Sequence, residues 1–308
     1  MKKWIISLLL LGCLLSESAK GQSEIRFTYI TSWGEKGTGP VQFRNPQGID
    51  VDPSGFLYVA DTGNQRIQKI DSRGRYVTEI GGFGWQAEQF DSPVSCWAEN
   101  GLDVFVADYN NDRIQRFDKD LYYIASLQVT DLWPENLYFG FPLDVGLSSQ
   151  GELFCLDGEN HRLLKLDILG NPQRTFGDFD AGEGRLSGPR RLLITSEGRV
   201  IVSDDSGALF VYDTHGNFLM KQKDPLLMSP RDMAELPYQC IAVADAVNGL
   251  IIFRRDGKRI SSLQGADSGG FRFRQIVDVA VYRDLLYVLD EERQAVDIFR
   301  WQFESGDF

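Results

Sequence analysis

Apolar and polar residues alternate in short stretches along most of the chain, and one alternating stretch recurs six times. It has the form apolar–x–apolar–x–Asp, as in "LYVAD" (57–61) and "VFVAD" (104–108). Successive copies lie 47, 49, 47, 41 and 45 residues apart. A period of two is typical of β-strands, and recurrence at this spacing is typical of repeat architectures. The copies end at Asp61, Asp108, Asp157, Asp204, Asp245 and Asp290.

Each repeat unit predicts four short strands. In the first unit these are "GIDVD" (48–52), "LYVAD" (57–61), "RIQKID" (66–71) and "YVTEIGG" (76–82), joined by turn-forming Pro, Ser and Gly residues. No segment has a sustained helical period. Because a lone four-stranded sheet of this size cannot bury both faces, radial stacking is the stable solution. The sequence therefore predicts an all-β fold, a six-bladed β-propeller of four-stranded antiparallel blades.

The two ends of the chain predict how the ring closes. The sixth unit stops after its third strand, "AVDIFRW" (295–301), whereas "RFTYITSWG" (26–34) is similar to the fourth strand "RYVTEIGGFG" (75–84). We expect the N-terminal strand to complete the last blade and cover its edge. The propeller then spans residues 25–302, followed by a tail at 303–308. One apolar residue before each first strand is expected to wedge between blades: Phe43, Phe90, Phe139, Leu186, Leu227 and Phe273.

The segment "NPQGIDVDPSGFLYVADTGNQRIQKID" (45–71) resembles an NHL repeat, whose usual form is P-x-G-I-x-V-D-x-x-G-x-L-Y-V-A-D-x-x-N-x-R-I-Q-x-F. The later units resemble it with increasing drift, so the resemblance extends over essentially the whole mature chain. It implies the propeller fold but leaves function open, because this family hosts many functions. Eukaryotic NHL proteins often carry a RING-type zinc domain, and the clustered Cys and His residues of such a domain are missing from this sequence.

The Asp that ends each copy persists in all six units, but its Arg partner remains only as Arg66, Arg113 and Arg162. We therefore expect the carboxylate to be a structural cap that accepts backbone N–H groups of the turn that follows it. The Arg is expected to add a modest cross-strand pair. The predicted caps are Asp61, Asp108, Asp157, Asp204, Asp245 and Asp290.

Residues 1–21 are predicted to be a signal peptide, with the basic start "MKK", an apolar run of 12 residues and a cut before Gln22. In an alternative interpretation "LLGC" is a lipobox, and Cys13 is lipidated as an anchor at the cell envelope. The protein is thus expected to be exported, either periplasmic or extracellular, without a transmembrane span in the mature chain. The three remaining cysteines, Cys96, Cys155 and Cys240, are expected to be unpaired core thiols.

Charge and missing motifs narrow the function. The formal net charge is −12 and the pI is near 4.7, which disfavours nucleic acid as a partner. The sequence has no nucleophile elbow, Walker loop or H-E-x-x-H motif, so no catalytic residue is predicted. His161 and His215 lie in two kinds of turn, expected on opposite faces, which argues against the His-based zinc site of similar amidating lyases.

The first position of each inner strand is expected to surround the propeller axis. These positions are Gly48, Ser95, Asp144, Arg191, Asp232 and Asp278. The three carboxylates could hold a divalent cation such as calcium, in the way that similar propeller lactonases hold an axial metal. Alternatively, Asp144, Asp232 and Asp278 form a charge-balanced network with Arg191, and no cofactor is needed.

The loops between blades suggest a binding surface. Aromatic and Arg side chains on Gly-rich loops are typical of such surfaces, although the rings could instead pack between blades. The favoured hypothesis is a non-enzymatic scaffold that binds a protein, peptide or glycan, and the alternative is an axial-metal hydrolase or lyase. The candidate binding residues are Trp33, Trp85, Trp133, Tyr138, Phe271, Arg272 and Arg274.

Overall fold

The computed structural model describes residues 24–263 and 271–304. The predicted leader with Cys13 lies outside these residues, as does most of the C-terminal tail. Six antiparallel sheets of four strands each account for most of the described chain. Within the two described stretches, no helix is long and apolar enough to cross a membrane.

In blades 1 to 5 the strands follow one another in sequence from the inside of the ring to the outside, and in blade 6 the outer strand comes from the N-terminus. Blade 1 consists of Gly48–Val51, Leu57–Asp61, Arg66–Ile70 and Tyr76–Gly81. Blade 2 consists of Pro93–Trp97, Asp103–Asp108, Arg113–Asp118 and Tyr123–Gln128. Blade 3 consists of Pro142–Leu147, Leu153–Asp157, Arg162–Leu166 and Pro172–Phe176.

The second half of the ring repeats this order. Blade 4 consists of Pro189–Ile194, Arg199–Asp204, Ala208–Asp213 and Phe218–Lys223. Blade 5 consists of Pro230–Leu236, Cys240–Asp245, Gly249–Arg254 and Arg259–Leu263. Blade 6 consists of Ile276–Tyr282, Leu285–Asp290, Ala295–Glu304 and Glu24–Trp33. The connections also contain the short parallel strands Glu35–Lys36 and Gln42–Phe43 and the 3₁₀ turns Thr62–Asn64, Tyr109–Asn111, Glu135–Leu137 and Gly182–Gly184.

The N-terminal strand closes the ring, as predicted. It pairs antiparallel with the last strand, from Glu24 opposite Glu304 to Trp33 opposite Val296. The inner strands contact one another in order around the axis, and the inner strand of blade 6 contacts that of blade 1. The last strand continues to Glu304, beyond residue 302 where the sequence suggested a boundary. The fold is therefore a closed six-bladed propeller.

The hydrophobic core lies between the blades. Five of the six predicted wedge residues are buried, and Phe273 is partly buried. Second strands such as Leu57–Asp61 are buried throughout, whereas fourth strands such as Tyr76–Gly81 alternate toward solvent. The cysteines 96, 155 and 240 are buried and unpaired. Each blade buries its faces against two neighbours. Because the four strands of a blade are antiparallel, the inter-blade loops and the turns after the second strands lie on one face of the propeller, which we call the loop face. The other turns form the turn face.

Candidate functional site

The repeated Asp is fully buried in all six blades. In each blade one carboxylate oxygen accepts a backbone N–H from the loop that leads into that blade, in addition to groups in the turn that follows. This carboxylate therefore fastens the incoming loop to the second strand. The loop donors are Arg44 to Asp61 at 2.7 Å, Asp91 to Asp108 at 2.8 Å, Gly140 to Asp157 at 3.3 Å, Ser187 to Asp204 at 2.9 Å, Met228 to Asp245 at 2.8 Å and Arg274 to Asp290 at 2.7 Å.

The other oxygen of this Asp is satisfied in two ways. In blade 1 it accepts from the side chains of Asn64 and Arg66, both at 2.8 Å. In blade 5, where no Arg is present in the turn, the backbone N–H groups of Val247 and Asn248 donate to Asp245 at 2.9 Å. Backbone N–H groups of the turn thus take the place of the side-chain donors, as Arg293 N does for Asp290 in blade 6 at 3.0 Å. This geometry explains why the Asp persists where the Arg is lost. The predicted backbone cap was wrong for Asp61 and Asp108, because their turns donate side-chain groups instead.

The Arg does more than form the modest cross-strand pair expected from sequence. Arg66 is 8% exposed. Besides Asp61, its guanidinium donates to the carbonyl oxygens of Thr38, Gly39 and Gln42 at 2.8–2.9 Å. Arg113 repeats the arrangement in blade 2 with Trp85, Gln86 and Gln89 at 2.7–2.9 Å. The Arg therefore holds the irregular loop before its blade in one conformation.

The four charged residues predicted to surround the axis line one cavity of about 90 Å³, together with Ser95. The pairing of the first and second strands shifts register beside this position in blades 2 to 6, for example between Pro142 and Asp144. Such bulges re-aim a side chain. The structure therefore brings Asp144, Arg191, Asp232 and Asp278 together.

The axial carboxylates accept N–H groups from the neighbouring blade. Leu192 donates to Asp144 at 2.7 Å, Val279 to Asp232 at 3.0 Å, and Ile49 to Asp278 at 3.1 Å. Asp50, which sequence reasoning missed, accepts from Ala98 at 2.6 Å. Asp50 lies two residues after the axial Gly48, and in a strand this spacing places both residues on the same side. That spacing could have indicated from sequence that Asp50 also faces the channel. These carboxylates satisfy the open inner edges of adjacent sheets and so link the blades.

Arg191 occupies the centre of this arrangement. Its guanidinium donates to the carbonyl oxygens of Gln47 at 2.6 Å, Val94 at 2.9 Å, Leu143 at 3.1 Å and Arg190 at 3.2 Å. These carbonyls immediately precede the axial positions of blades 1 to 4. The Nε atom lies 3.8 Å from Asp278 Oδ2. A positive group thus sits where four carbonyl dipoles converge.

Burial raises the pKa values of two axial carboxyl groups. It raises the pKa of Asp144 to about 6, although the charge of Arg191 acts in the opposite direction. Burial also raises the pKa of Asp278 well above its usual range, and the charge of Asp232 adds to the effect. Among the residues that the structure describes, no three His, Cys, Asp or Glu side chains are grouped as a metal site would require.

A carboxylate pair lies where the channel opens on the turn face. Glu99 and Glu235 line the axial cavity and also two open pockets of about 550 and 350 Å³. The side chain of Glu99 is exposed to the channel but surrounded by protein, which raises its pKa to about 7, with a further contribution from Glu235. Sequence reasoning missed this pair because it considered only the start of each inner strand.

The predicted binding-face residues divide into two groups. Trp85 is 76% exposed, and Arg272 and Arg274 are exposed. The other four are partly buried. The ring of Trp33 lies 5.8 Å from Tyr287, that of Trp133 5.9 Å from Phe139, and that of Phe271 4.7 Å from Tyr29. These rings pack within or between blades, and Tyr138 presents its carbonyl oxygen to Arg162.

The loop face exposes other large apolar side chains that sequence reasoning missed. They are Phe83 at 70%, Leu132 at 93%, Phe141 at 40% and Phe179 at 72% exposure. Phe83, Leu132 and Phe141 belong to the same loops as predicted candidates, whereas Phe179 lies in the loop 177–188, from which no candidate was predicted. Alternation does not tell which ring of a loop turns inward. His161 and His215 are exposed on turns of the loop face and turn face respectively.

Comparison with known proteins finds a family match in the first blade. A family model described as NHL repeat matches residues 43–70, so this part of the chain is an NHL repeat. The chain is 44% identical over 45 residues to human NHL repeat-containing protein 3, a match that covers 15% of this chain and 13% of that relative. The chain thus matches only a small part of the relative's length.

Solved structures resemble this NHL-repeat propeller in fold. One is a streptogramin B lyase, with a TM-score of 0.64 and 10% sequence identity. The match covers 92% of this chain and 100% of the lyase chain. Another is the WD40 propeller domain of Doa1, with a TM-score of 0.60 and 13% identity, covering 82% and 78%. At these identities the likeness concerns the propeller fold alone.

Proposed function

We propose that this NHL-repeat propeller is an exported, non-enzymatic module that binds a protein, peptide or glycan on its loop face. The observation that carries the proposal is the exposure of Phe83, Trp85, Leu132, Phe141 and Phe179 on the loops of one face. Exposed apolar side chains grouped on one surface are characteristic of interaction sites. Export follows from the leader at residues 1–21, with lipidation at Cys13 as the alternative.

The axial channel supports a binding module better than a metal-dependent hydrolase or lyase. Asp144, Asp232 and Asp278 already accept backbone N–H groups, and the guanidinium of Arg191 engages the nearby carbonyls. Calcium takes six to eight oxygen ligands, and here the carboxylate oxygens serve the contacts between blades. We therefore propose that the protein works without a cofactor, and that the axial carboxylates are structural.

Calorimetric titration with calcium, zinc and manganese tests the enzymatic alternative. We expect no one-site binding to the mature protein. Tight one-site binding that Asp232→Ala abolishes would instead favour the axial-metal enzyme.

Loss of apolar side chains from the two faces tests the binding surface. Peptides selected from a random phage display, and hits from a glycan array, should lose at least about tenfold in affinity for a Trp85→Ser and Leu132→Ser double variant, as expected for anchor residues. The matched control is Leu102→Ser with Tyr122→Ser, which removes side chains of 70% and 73% exposure from the turn face. Equal affinity losses for the two double variants would contradict the proposal.

A further inference from the structure

We propose that the loop face binds a cationic polypeptide, and that it does so on the sector over blades 2 to 4. This inference rests on the proposed function and narrows its ligand. The sector comprises the loops 82–92, 129–141 and 177–188 and the turns 109–112, 158–161 and 205–207. We call it the acidic sector.

The charge of these segments is strongly one-sided. They contain ten carboxylates and, among Lys and Arg, only Arg185. This difference accounts for most of the net charge of −12. Asp205 is paired with Arg190, but six exposed carboxylates have no ion pair within residues 24–263 and 271–304. These six are Glu88, Asp131, Glu135, Glu159, Asp180 and Glu183.

Contacts across adjacent blades join the blade 2 and blade 3 parts of the sector. Asn111 donates to the carbonyl oxygen of Gly84 at 2.9 Å, which joins the loop of Phe83 and Trp85 to the turn of blade 2. That turn reaches blade 3, because Phe141 N donates to Asp112 Oδ1 at 2.7 Å. A Cβ atom on Gly140 would lie 2.5 Å from Glu159 Oε2 and 3.3 Å from Asp112 Oδ1. Exposed rings and carboxylates thus lie side by side.

Phe141 adds an independent observation. Its backbone is left-handed, with φ at 48°, as at the corresponding positions of blades 1 and 2, Asn45 at 46° and Ser92 at 62°. Asn tolerates this conformation, whereas a bulky aromatic residue is strained in it. The fold alone would be served better by Asn or Ser, and the ring of Phe141 remains 40% exposed beside Tyr109. A strained backbone at a residue whose ring remains exposed indicates that the ring of Phe141 contacts a ligand.

Rings surrounded by carboxylates select a particular ligand chemistry. Lys and Arg side chains pair with both features, since they form ion pairs and also lie over aromatic faces. Within the sector the Arg185 guanidinium lies 4.2 Å from the ring of Phe179. The same face around blades 6 and 1 instead exposes Lys36, Arg44, Arg272 and Arg274. A cationic segment would therefore be directed toward blades 2 to 4.

Two labelled peptides of equal length and apolar content test the inference, one alternating Lys with Phe and Leu, the other alternating Glu with them. We expect fluorescence anisotropy to show the Lys peptide binding at least about tenfold more tightly at 50 mM salt, with most of this difference lost at 500 mM, as screening predicts. Equal affinities, or no binding of the Lys peptide, would overturn the inference.

Matched charge variants separate the sector from the overall negative charge. Glu135→Gln with Glu159→Gln should weaken Lys-peptide binding about fivefold or more, whereas Glu35→Gln with Glu292→Gln, outside the sector, should change it less than about twofold. Equal effects of the two double variants would mean that only net charge matters, which refutes the sector. Phe141→Asn should weaken binding at an unchanged or raised melting temperature. Unchanged binding by Phe141→Asn would remove that ring from the site and contradict the inference.

The outcomes also distinguish the two proposals. Selected peptides that require Trp85 and Leu132, but whose affinity does not change with salt or with the charge variants, would support the binding face. They would show that the inference of a cationic ligand is wrong. If their affinity ignores Trp85 and Leu132 as well, the proposed function itself fails.

Discussion

A buried carboxylate at the end of each second strand connects segments that are 16 or 17 residues apart in sequence. Arg66 and Arg113 extend this connection to loop carbonyls up to 28 residues away. Such contacts fix loops that have no regular structure of their own. At the scale of single residues, the repeated Asp and Arg therefore hold the loops of the loop face in place.

Arg66→Ala is expected to lower the free energy of unfolding by about 3 kcal/mol, because it leaves Asp61 and three loop carbonyls without their buried donor. Asp245→Ala should cost a similar ~1–3 kcal/mol, since four N–H groups lose their acceptor. The control Arg75→Ala breaks an exposed pair with Asp71 and should cost ~0.5 kcal/mol or less. Denaturant unfolding measures all three. A neutral Asp245→Ala would show that this Asp matters only where an Arg accompanies it.

Asp297 gives the fold a pH dependence. Burial raises its pKa from 3.8 to about 6, so the folded state binds its proton more tightly than the unfolded state does. Its contribution to stability is fully present below pH 3.8 and is lost as the pH rises through about 6. Asp297→Asn stays neutral, so its stability should fall by roughly 2–3 kcal/mol less between pH 4 and 7 than that of the unmodified protein. Parallel stability curves for the two proteins would contradict this assignment.

At the scale of elements, strand order and turn chemistry were readable from sequence because each repeat carries the same alternation and the same Gly and Asp positions. The orientation of the aromatic rings in the loops was not readable from sequence. A ring that turns inward, such as Trp133, and one that turns outward, such as Trp85, occur in similar Gly-rich or polar stretches of sequence. The axial side chains that the sequence singled out line one cavity. Their hydrogen bonds were not predicted, because the register shifts beside them depend on packing between blades.

Removal of residues 22–34 should destabilise the protein severely. It takes away the strand Glu24–Trp33, which exposes the edge of Ala295–Glu304 and uncovers the buried side chains packed against Ile25 and Phe27. The expected result is a melting temperature lowered by more than ten degrees or so, with aggregation on heating. Added back as a peptide, residues 22–34 should bind and restore part of the loss. A truncated protein that melts within a few degrees of the intact one would refute this role of the strand.

At the scale of the whole molecule, one side chain joins four blades. The guanidinium of Arg191 contacts carbonyl oxygens from blades 1, 2, 3 and 4, while Asp278 of blade 6 lies beside it. A compact ammonium group cannot reach acceptors spread over four blades. The centre of the ring is thus held by a planar cation that belongs to the chain.

Arg191→Ala should lower the free energy of unfolding by ~3–5 kcal/mol, because buried carbonyls and carboxylates lose their cation. Arg191→Lys should recover little of this loss. Millimolar methylguanidinium should raise the melting temperature of Arg191→Ala, whereas tetramethylammonium, which cannot donate hydrogen bonds, should not. If both cations act equally, or neither acts, the directional contacts of Arg191 do not hold the ring.

The pairing of the N-terminal strand with the end of the chain also has a consequence in time. The residues opposite Glu24–Trp33 lie about 260–280 positions further along the chain. At ~5–20 residues per second, a ribosome needs roughly 15–60 s to synthesise that distance. During this interval the strand has no partner for its backbone, and its apolar side chains Ile25 and Phe27 have no surface on which to pack. The ring can therefore close only after the last residues have been synthesised. Until then the unpaired strand needs a chaperone to keep it from aggregating with other unfolded chains.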